Sequence, residues 1–182
     1  MITEILSEEN ISLHKEYVRQ QRLKYSILES DLPCLKGAKV NDLFHIRLDK
    51  KDREKALELL SEAVLHDIFF DSFCEEENRR CEIVSAIYGS ESAFLHELYK
   101  RSKELKYGFL AVDGAARIYA VSECQKAFRY GEPRLAVDLC EHAYFFDYGF
   151  DRERYIITCL SHLNLKKITL DYKVQKKEKG GI

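Results

Sequence analysis

In the first half of the chain, mainly apolar residues recur at every third or fourth position, and this spacing predicts helices. One helix extends from Ser7, a typical N-cap residue, to about Glu29. A second helix covers about residues 50–73, and a third helical region, about residues 81–106, breaks at Gly89. The stripe on the first helix comprises His14, Val18, Gln21 and Tyr25. The face of the second comprises Leu59, Ala63, His66, Phe70 and Phe73.

The pattern changes to β-rich segments after the third helical region. The runs YGFLAV and RIYAVS flank the dipeptide DG, a favoured two-residue hairpin turn, and RLAVD is a third candidate strand. Helices return within the stretch DLCEHAYFFDY and from about Asp151 to Leu163. Helices followed by a small antiparallel sheet with flanking helices indicate an α+β fold.

The chain is long enough for one domain or for two small lobes that share a core, since 46% of its 182 residues are hydrophobic. We predict an N-terminal helical lobe at residues 1–83 and a C-terminal α+β lobe at residues 84–172. The lysine-rich residues 173–182 are expected to form a disordered tail.

Charge and composition exclude several classes of function. The 29 basic and 31 acidic residues leave a net charge of −2, which gives no footprint for nucleic acid or anionic lipid. No stretch approaches the roughly 20 apolar residues of a membrane-spanning helix, and the acidic start lacks the apolar run of a signal peptide. The six cysteines form no C-x-x-C pair. We therefore expect a cytoplasmic protein with free thiols.

The stretch DLCEHAYFFDY combines carboxylates, a thiol and an imidazole at a strand-to-helix junction. Asp138 and Glu141 have the spacing of a capping box, which accounts for both acids without a ligand. His142 is left over, and His14 and His66 lie on the apolar sides of two other helices. A single helical histidine is more often an ordinary side chain than a ligand. Three imidazoles and one carboxylate together, however, suit a first-row transition metal such as iron, manganese or zinc.

The same stretch resembles the main motif of the iron/manganese superoxide dismutases. That motif is D-x-W-E-H-A-Y-Y-x-x-Y, followed by x-x-x-R-P-x-Y, and this chain reads DLCEHAYFFDYGFDRERY. The residues in register are Asp138, Glu141, His142, Ala143, Tyr144, Tyr148, Arg152 and Tyr155. The segments LSEENISLH and AVLHDIFF are similar to those around the family's first two ligands. The resemblance covers about residues 6–165.

The resemblance implies that a helical hairpin lobe and an α+β lobe hold one iron or manganese ion per chain between them. The implied ligands are His14, His66, Asp138 and His142. The implied reaction is the disproportionation of superoxide, a small anion, to dioxygen and hydrogen peroxide. The resemblance also implies a homodimer with Glu141 and His142 near the interface.

The residues around the implied ligands depart from the family's pattern. The family's gate tyrosine, eight residues after the first ligand, is replaced by Arg22, and Tyr25 one turn further is a candidate substitute. Arg22 carries a charge that attracts anions but cannot donate a proton at neutral pH. Iron-type members have a glutamine where this chain has Glu62, whose carboxylate either faces the metal or is solvated at the helix edge. Glu62, Arg22 and Tyr25 are therefore the candidate catalytic residues.

Three functions remain open on the sequence. An active dismutase is favoured because all four implied ligands occur in the family's order and spacing. A metal-binding relative with altered or no dismutase activity is favoured by Arg22 and Glu62. A non-catalytic interaction module on the same fold is the third alternative, and the retained ligands argue against it.

Overall fold

The computed structural model describes residues 2–74, 80–129 and 131–169. The helices in these ranges are α1 (Glu8–Asp31), α2 (Val40–Leu43), α3 (Lys50–Asp71), α4 (Glu82–Tyr88), α5 (Glu91–Glu104), α6 (Glu141–Tyr148) and α7 (Arg152–His162). The strands are β1 (Phe109–Asp113), β2 (Ile118–Val121) and β3 (Pro133–Asp138). This is the predicted α+β fold, with a helical N-terminal part. None of the helices in the described ranges combines the length and the apolarity needed to cross a bilayer.

The helices of the first half begin and end at signals in the sequence. Ser7 caps α1 by accepting a hydrogen bond from the backbone N–H of Asn10 at 3.2 Å. Asp49 caps α3 in the same way. Gly89 ends α4 with a left-handed φ of 82°, a conformation that glycine adopts without steric cost. The predicted helices and the break at Gly89 are thus confirmed, with small differences at the helix ends.

One hydrophobic core connects the helical part with the sheet. α1 packs against α3, and α3 also packs on β3. The predicted stripe on α1 is buried, and so is most of the predicted face of α3. The predicted division after residue 83 falls inside α4 and stays a prediction. The predicted tail at residues 173–182 lies outside the described residues.

The three strands form one antiparallel sheet in the order β2-β1-β3. The prediction of a two-residue turn between β1 and β2 is wrong, because residues 114–117 form a longer loop. Asp113 Oδ1 accepts hydrogen bonds from the backbone N–H groups of Ala115 and Arg117, at 2.9 and 3.0 Å. Such side-chain contacts to nearby backbone compete with a tight hairpin turn. Ala116 takes a left-handed φ of 58° within this loop.

Gly108 connects the sheet to the residues that follow β3. Its carbonyl accepts a hydrogen bond from the N–H of Leu139 at 2.8 Å. A Cβ atom on Gly108 would lie 2.1 Å from the carbonyl oxygen of Val121, so only glycine fits there. The end of β3, and with it Asp138, is therefore held closely beside the start of β1.

Candidate metal centre

Four side chains from four different elements meet at one point. His14 comes from the second turn of α1, His66 from α3, Asp138 from the last position of β3 and His142 from the first turn of α6. Each offers one ligand atom, and these atoms all lie within 4.8 Å of one another. The fold thus brings together residues that are far apart in the sequence.

The imidazole nitrogens converge on a single carboxylate oxygen. Oδ2 of Asp138 lies 3.3 Å from Nε2 of both His14 and His66. It lies 3.0 Å from Nε2 of His142. The Nε2 atoms of His66 and His142 are 3.4 Å apart. This arrangement places three nitrogen donors and one oxygen donor around a small common volume.

The cluster is buried except at His142, which forms its open side. The side chains of His14, Asp138 and His66 are 0 to 1% exposed, whereas that of His142 is 38% exposed. Aromatic rings enclose the buried part. Those of Phe69 and Phe70 contact His14, and that of Phe109 contacts His66 at 4.9 Å between centroids.

Backbone contacts orient the converging atoms. Nδ1 of His66 donates a hydrogen bond to the carbonyl oxygen of Glu62 at 2.7 Å, which leaves the lone pair of Nε2 free for a metal. Oδ1 of Asp138 accepts a hydrogen bond from the N–H of Cys140 at 2.9 Å. The predicted capping box is not formed, since Cys140 occupies the N-cap position of α6 without a side-chain cap. Oδ2 of Asp138 therefore remains directed at the histidines.

Several buried atoms of the cluster have no hydrogen-bond partner within the described structure. They are Nδ1 and Nε2 of His14 and Oδ2 of Asp138. Buried polar atoms are rarely left unsatisfied, and a cation bound between them would account for Nε2 and Oδ2. Three imidazoles and one carboxylate are also a ligand set that iron and manganese accept. The residues present therefore fit the metal that the sequence resemblance implies.

Two of the four residues, His14 and Asp138, favour the protonation states that metal binding requires, whereas His66 has to give up a proton to a metal. Burial lowers the pKa of His14 and outweighs the opposing effect of Asp138. Burial alone would raise the pKa of Asp138, but its contacts with the three histidines hold it well below its usual range. Burial acts to lower the pKa of His66, yet Asp138 raises it overall. A carboxylate beside a neutral His14 is ready to receive a cation.

Tyr17 and Glu62 lie next to the cluster. The hydroxyl of Tyr17 donates a hydrogen bond to Oε1 of Glu62 at 2.5 Å. The ring of Tyr17 is 4.9 Å from that of His142 and 5.6 Å from that of His66. Glu62 is half-buried. That its carboxylate faces a metal stays a prediction. The sequence reasoning missed Tyr17, although its position three residues after His14 puts it on the same side of α1.

The other two candidate catalytic residues lie elsewhere. Arg22 forms an ion pair with Asp67, and both side chains are about half exposed. Arg22 lines a cleft of about 380 Å³, together with Lys15, Val18, Arg19, Asp67 and Phe70. The hydroxyl of Tyr25 donates to the carbonyl oxygen of Leu35 at 3.5 Å in the core. Tyr25 lies three turns beyond His14, or about 16 Å along the helix axis, and is not part of the site.

Comparison with known proteins adds an independent finding. The family model for the C-terminal domain of iron/manganese superoxide dismutases matches residues 77–171, which is more than half of the chain. This range includes Asp138 and His142. No curated protein matches the sequence. Together with the α+β fold, the match shows that the chain belongs to the iron/manganese superoxide dismutase family.

Proposed function

We propose that the protein binds one iron or manganese ion per chain through His14, His66, Asp138 and His142, and that it disproportionates superoxide to dioxygen and hydrogen peroxide. The observation that carries this proposal is the convergence of three Nε2 atoms on Oδ2 of Asp138, 3.0 to 3.3 Å away. The bound metal would supply the one-electron redox chemistry.

The surrounding residues suit a small anionic substrate. Phe69, Phe70 and Phe109 exclude water from the buried side. The partial exposure of His142 leaves an opening on the other side. Formation of hydrogen peroxide consumes protons, and the hydrogen bond between Tyr17 and Glu62 lies beside that opening. The cleft beside Arg22 reaches Phe70, whose ring contacts His14. Arg22 is paired there with Asp67, and the ammonium of Lys15, 5.7 Å from the ring centre of Phe70, adds a positive charge that attracts anions.

A homodimer built around α6 is part of the proposal. Glu141 and His142 are exposed at the start of α6. Phe145 is 48% and Phe150 is 95% exposed, and their rings contact each other at 5.3 Å. An exposed aromatic pair next to polar residues is typical of a protein interface. Such an interface would place the open side of each site near the partner subunit.

The experiment combines metal analysis with a superoxide decay assay. The protein is stripped of metal and reloaded with iron or with manganese, and the metal content is measured. We expect about one ion per chain and faster superoxide decay than with the same concentration of free metal. His142→Ala should lose both properties, because it removes one of four donors. The control is His96→Ala, which changes an exposed histidine on α5 and should lose neither. Full occupancy without any acceleration would rule out dismutase activity.

A second candidate is a metal-binding relative that does not disproportionate superoxide. The observation in its favour is the carboxylate of Glu62 at the site, where an iron-type member carries an amide. The same experiment separates the two, since this candidate predicts metal binding without turnover. An interaction module without metal predicts that metal loading leaves the unfolding temperature unchanged, whereas a cation that joins four elements should raise it.

A further inference from the structure

The ring of Tyr17 lies beside that of His142, the exposed member of the cluster. Its half-buried ring lies against the ring of His142, with an interplanar angle of 34°, and is tilted by 56° to that of His66. A small ligand that approaches the open side of the four residues therefore meets this tyrosine.

Glu62 is held in place by the same tyrosine. It lies on α3 one turn before His66, so its side chain is on the side of that helix that faces α1. The 2.5 Å distance between the hydroxyl of Tyr17 and Oε1 of Glu62 falls in the range of hydrogen bonds to an ionised carboxylate. Burial, and next the contact with Glu62, raise the pKa of Tyr17, so the phenol keeps its proton and acts as the donor.

The two carboxylates near the site differ in how their charge is balanced. Asp138 faces three histidines within 3.3 Å. Among the described residues, the hydrogen-bond partner of the Glu62 carboxylate is Tyr17, a neutral group, and no ion pair neutralises Glu62. Its negative charge therefore acts on an anion that enters beside Tyr17.

We propose that Tyr17 is a positioning residue that holds the carboxylate of Glu62 at the open side of the cluster, where this carboxylate weakens the binding of small anions to the metal-loaded site. The inference rests on the proposed metal binding and deepens it, because it identifies two residues that set the affinity for anions. It predicts that an amide at position 62 gives a site with higher anion affinity.

Azide is a suitable probe, since it is a small anion whose binding to a transition metal changes the absorbance of the metal. Iron-loaded wild type, Glu62→Gln, Tyr17→Phe and the double variant are titrated with azide, and metal content and circular dichroism are measured for each. We expect Glu62→Gln to bind azide at least about tenfold more tightly, since removing one charge a few ångströms from an anion has an effect of this order. Glutamine keeps the size of the side chain and an oxygen that can accept from Tyr17.

Tyr17→Phe should also tighten azide binding, because it frees the carboxylate to turn towards solvent. In the Glu62→Gln background the same change should have little effect, since a residue that acts through Glu62 has nothing left to position. The matched controls are Tyr99→Phe and Glu153→Gln, which alter a hydrogen-bonded tyrosine–glutamate pair on the surface between α5 and α7. Neither should change the affinity for azide.

The outcomes separate this inference from the proposed function. Unchanged or weaker azide binding in Glu62→Gln would overturn the role of Glu62. Equal effects of Tyr17→Phe in both backgrounds would overturn the positioning role of Tyr17. A loaded wild type that lacks dismutase turnover but shows the expected azide affinities would support this inference and contradict the dismutase. Failure of the wild type to bind iron would contradict both.

Discussion

At the scale of the residue, Asp138 is fixed by contacts on three of its atoms. Oδ1 accepts from the N–H of Cys140, and the backbone carbonyl accepts from the hydroxyl of Tyr155 at 2.7 Å. Oδ2 is left for the three histidines. Because the backbone and one oxygen are both held, the second oxygen has little freedom to turn away from the cluster.

Replacing Tyr155 with Phe tests the contribution of this support. Tyr155 is fully buried, so the substitution leaves the carbonyl of Asp138 without its partner. We expect a loss of about 1–3 kcal/mol in the free energy of unfolding, measured by urea titration of metal-free protein. The control is Tyr144→Phe. Tyr144 is also buried and stacks on Tyr155, but its hydroxyl has no hydrogen-bond partner in the described part of the chain. Equal losses in the two variants would show that the contact with Asp138 contributes nothing specific.

The sequence was a good guide to the four converging residues and a poor one to the residues beside them. His14, His66, Asp138 and His142 were accessible because the resemblance places all four in the family's order and spacing. Tyr17 was not, because its role depends on the angle between α1 and α3 and on the rotamer that reaches Glu62. Neither quantity is encoded in a local pattern.

At the scale of the element, α6 is fixed to the start of α1 by a small polar group. Oδ2 of Asp147 accepts hydrogen bonds from the N–H of Ser7 and from Nδ2 of Asn10, both at 2.9 Å. Nδ2 of Asn10 also donates to the carbonyl oxygen of Ala143 at 3.1 Å. These contacts set the position of His142, on α6, relative to His14, on α1.

Asp147→Ala should weaken this connection in a pH-dependent way. Burial acts to raise the pKa of Asp147, but the hydrogen bonds from Ser7 and Asn10 lower it overall. The charged form therefore stabilises the fold above the pKa of an unfolded aspartate, about 3.9, and this contribution is lost as the pH falls through the lower folded value. We expect wild type to be more stable than the variant at pH 7, by about 1 kcal/mol. The difference should shrink towards pH 3 in urea titrations.

The control for this change is Asp71→Ala, which removes an ion pair with Lys167 in which the Asp71 side chain is 77% exposed. Such a pair is worth little, so its loss should cost below about 1 kcal/mol at pH 7. A difference between wild type and Asp147→Ala that stays constant from pH 7 to pH 3 would contradict the role given to the charge of Asp147.

Most helices and strands were predictable from the sequence, and the exception is the loop between β1 and β2. Caps such as Ser7 and breaks such as Gly89 determined the helices locally. The loop after β1 differed because the side chain of Asp113 captures two backbone N–H groups. The dipeptide rule places Asp113 in the turn, whereas Asp113 is the last residue of β1 and its side chain binds N–H groups that lie beyond the dipeptide.

At the scale of the whole molecule, the cluster joins parts that are distant in sequence. α1 and α3 contribute two histidines, and β3 and α6 contribute the aspartate and the third histidine. The predicted lobes therefore meet at the site as well as in the shared core. No local sequence pattern determines that these four residues converge. Their convergence was therefore predicted only by the resemblance to a family.

Self-association is also a property of the whole molecule, and a substitution of Phe150 tests the proposed dimer interface. This side chain follows α6, is 95% exposed and packs only edge-on against Phe145 among the ring contacts of the described residues. Burying such a ring in an interface is worth about 1.5–3 kcal/mol per side chain, and a symmetric dimer buries two copies. Phe150→Glu should therefore convert a dimer to a monomer at micromolar concentration in sedimentation velocity, with an unchanged circular dichroism spectrum.

Leu23→Glu is the matched control, since Leu23 is 57% exposed on α1 and should leave the dimer intact. Wild type that sediments as a monomer, or a Phe150→Glu variant that remains dimeric, would place the interface elsewhere or exclude it, because the exposed aromatic pair would then have no role in self-association.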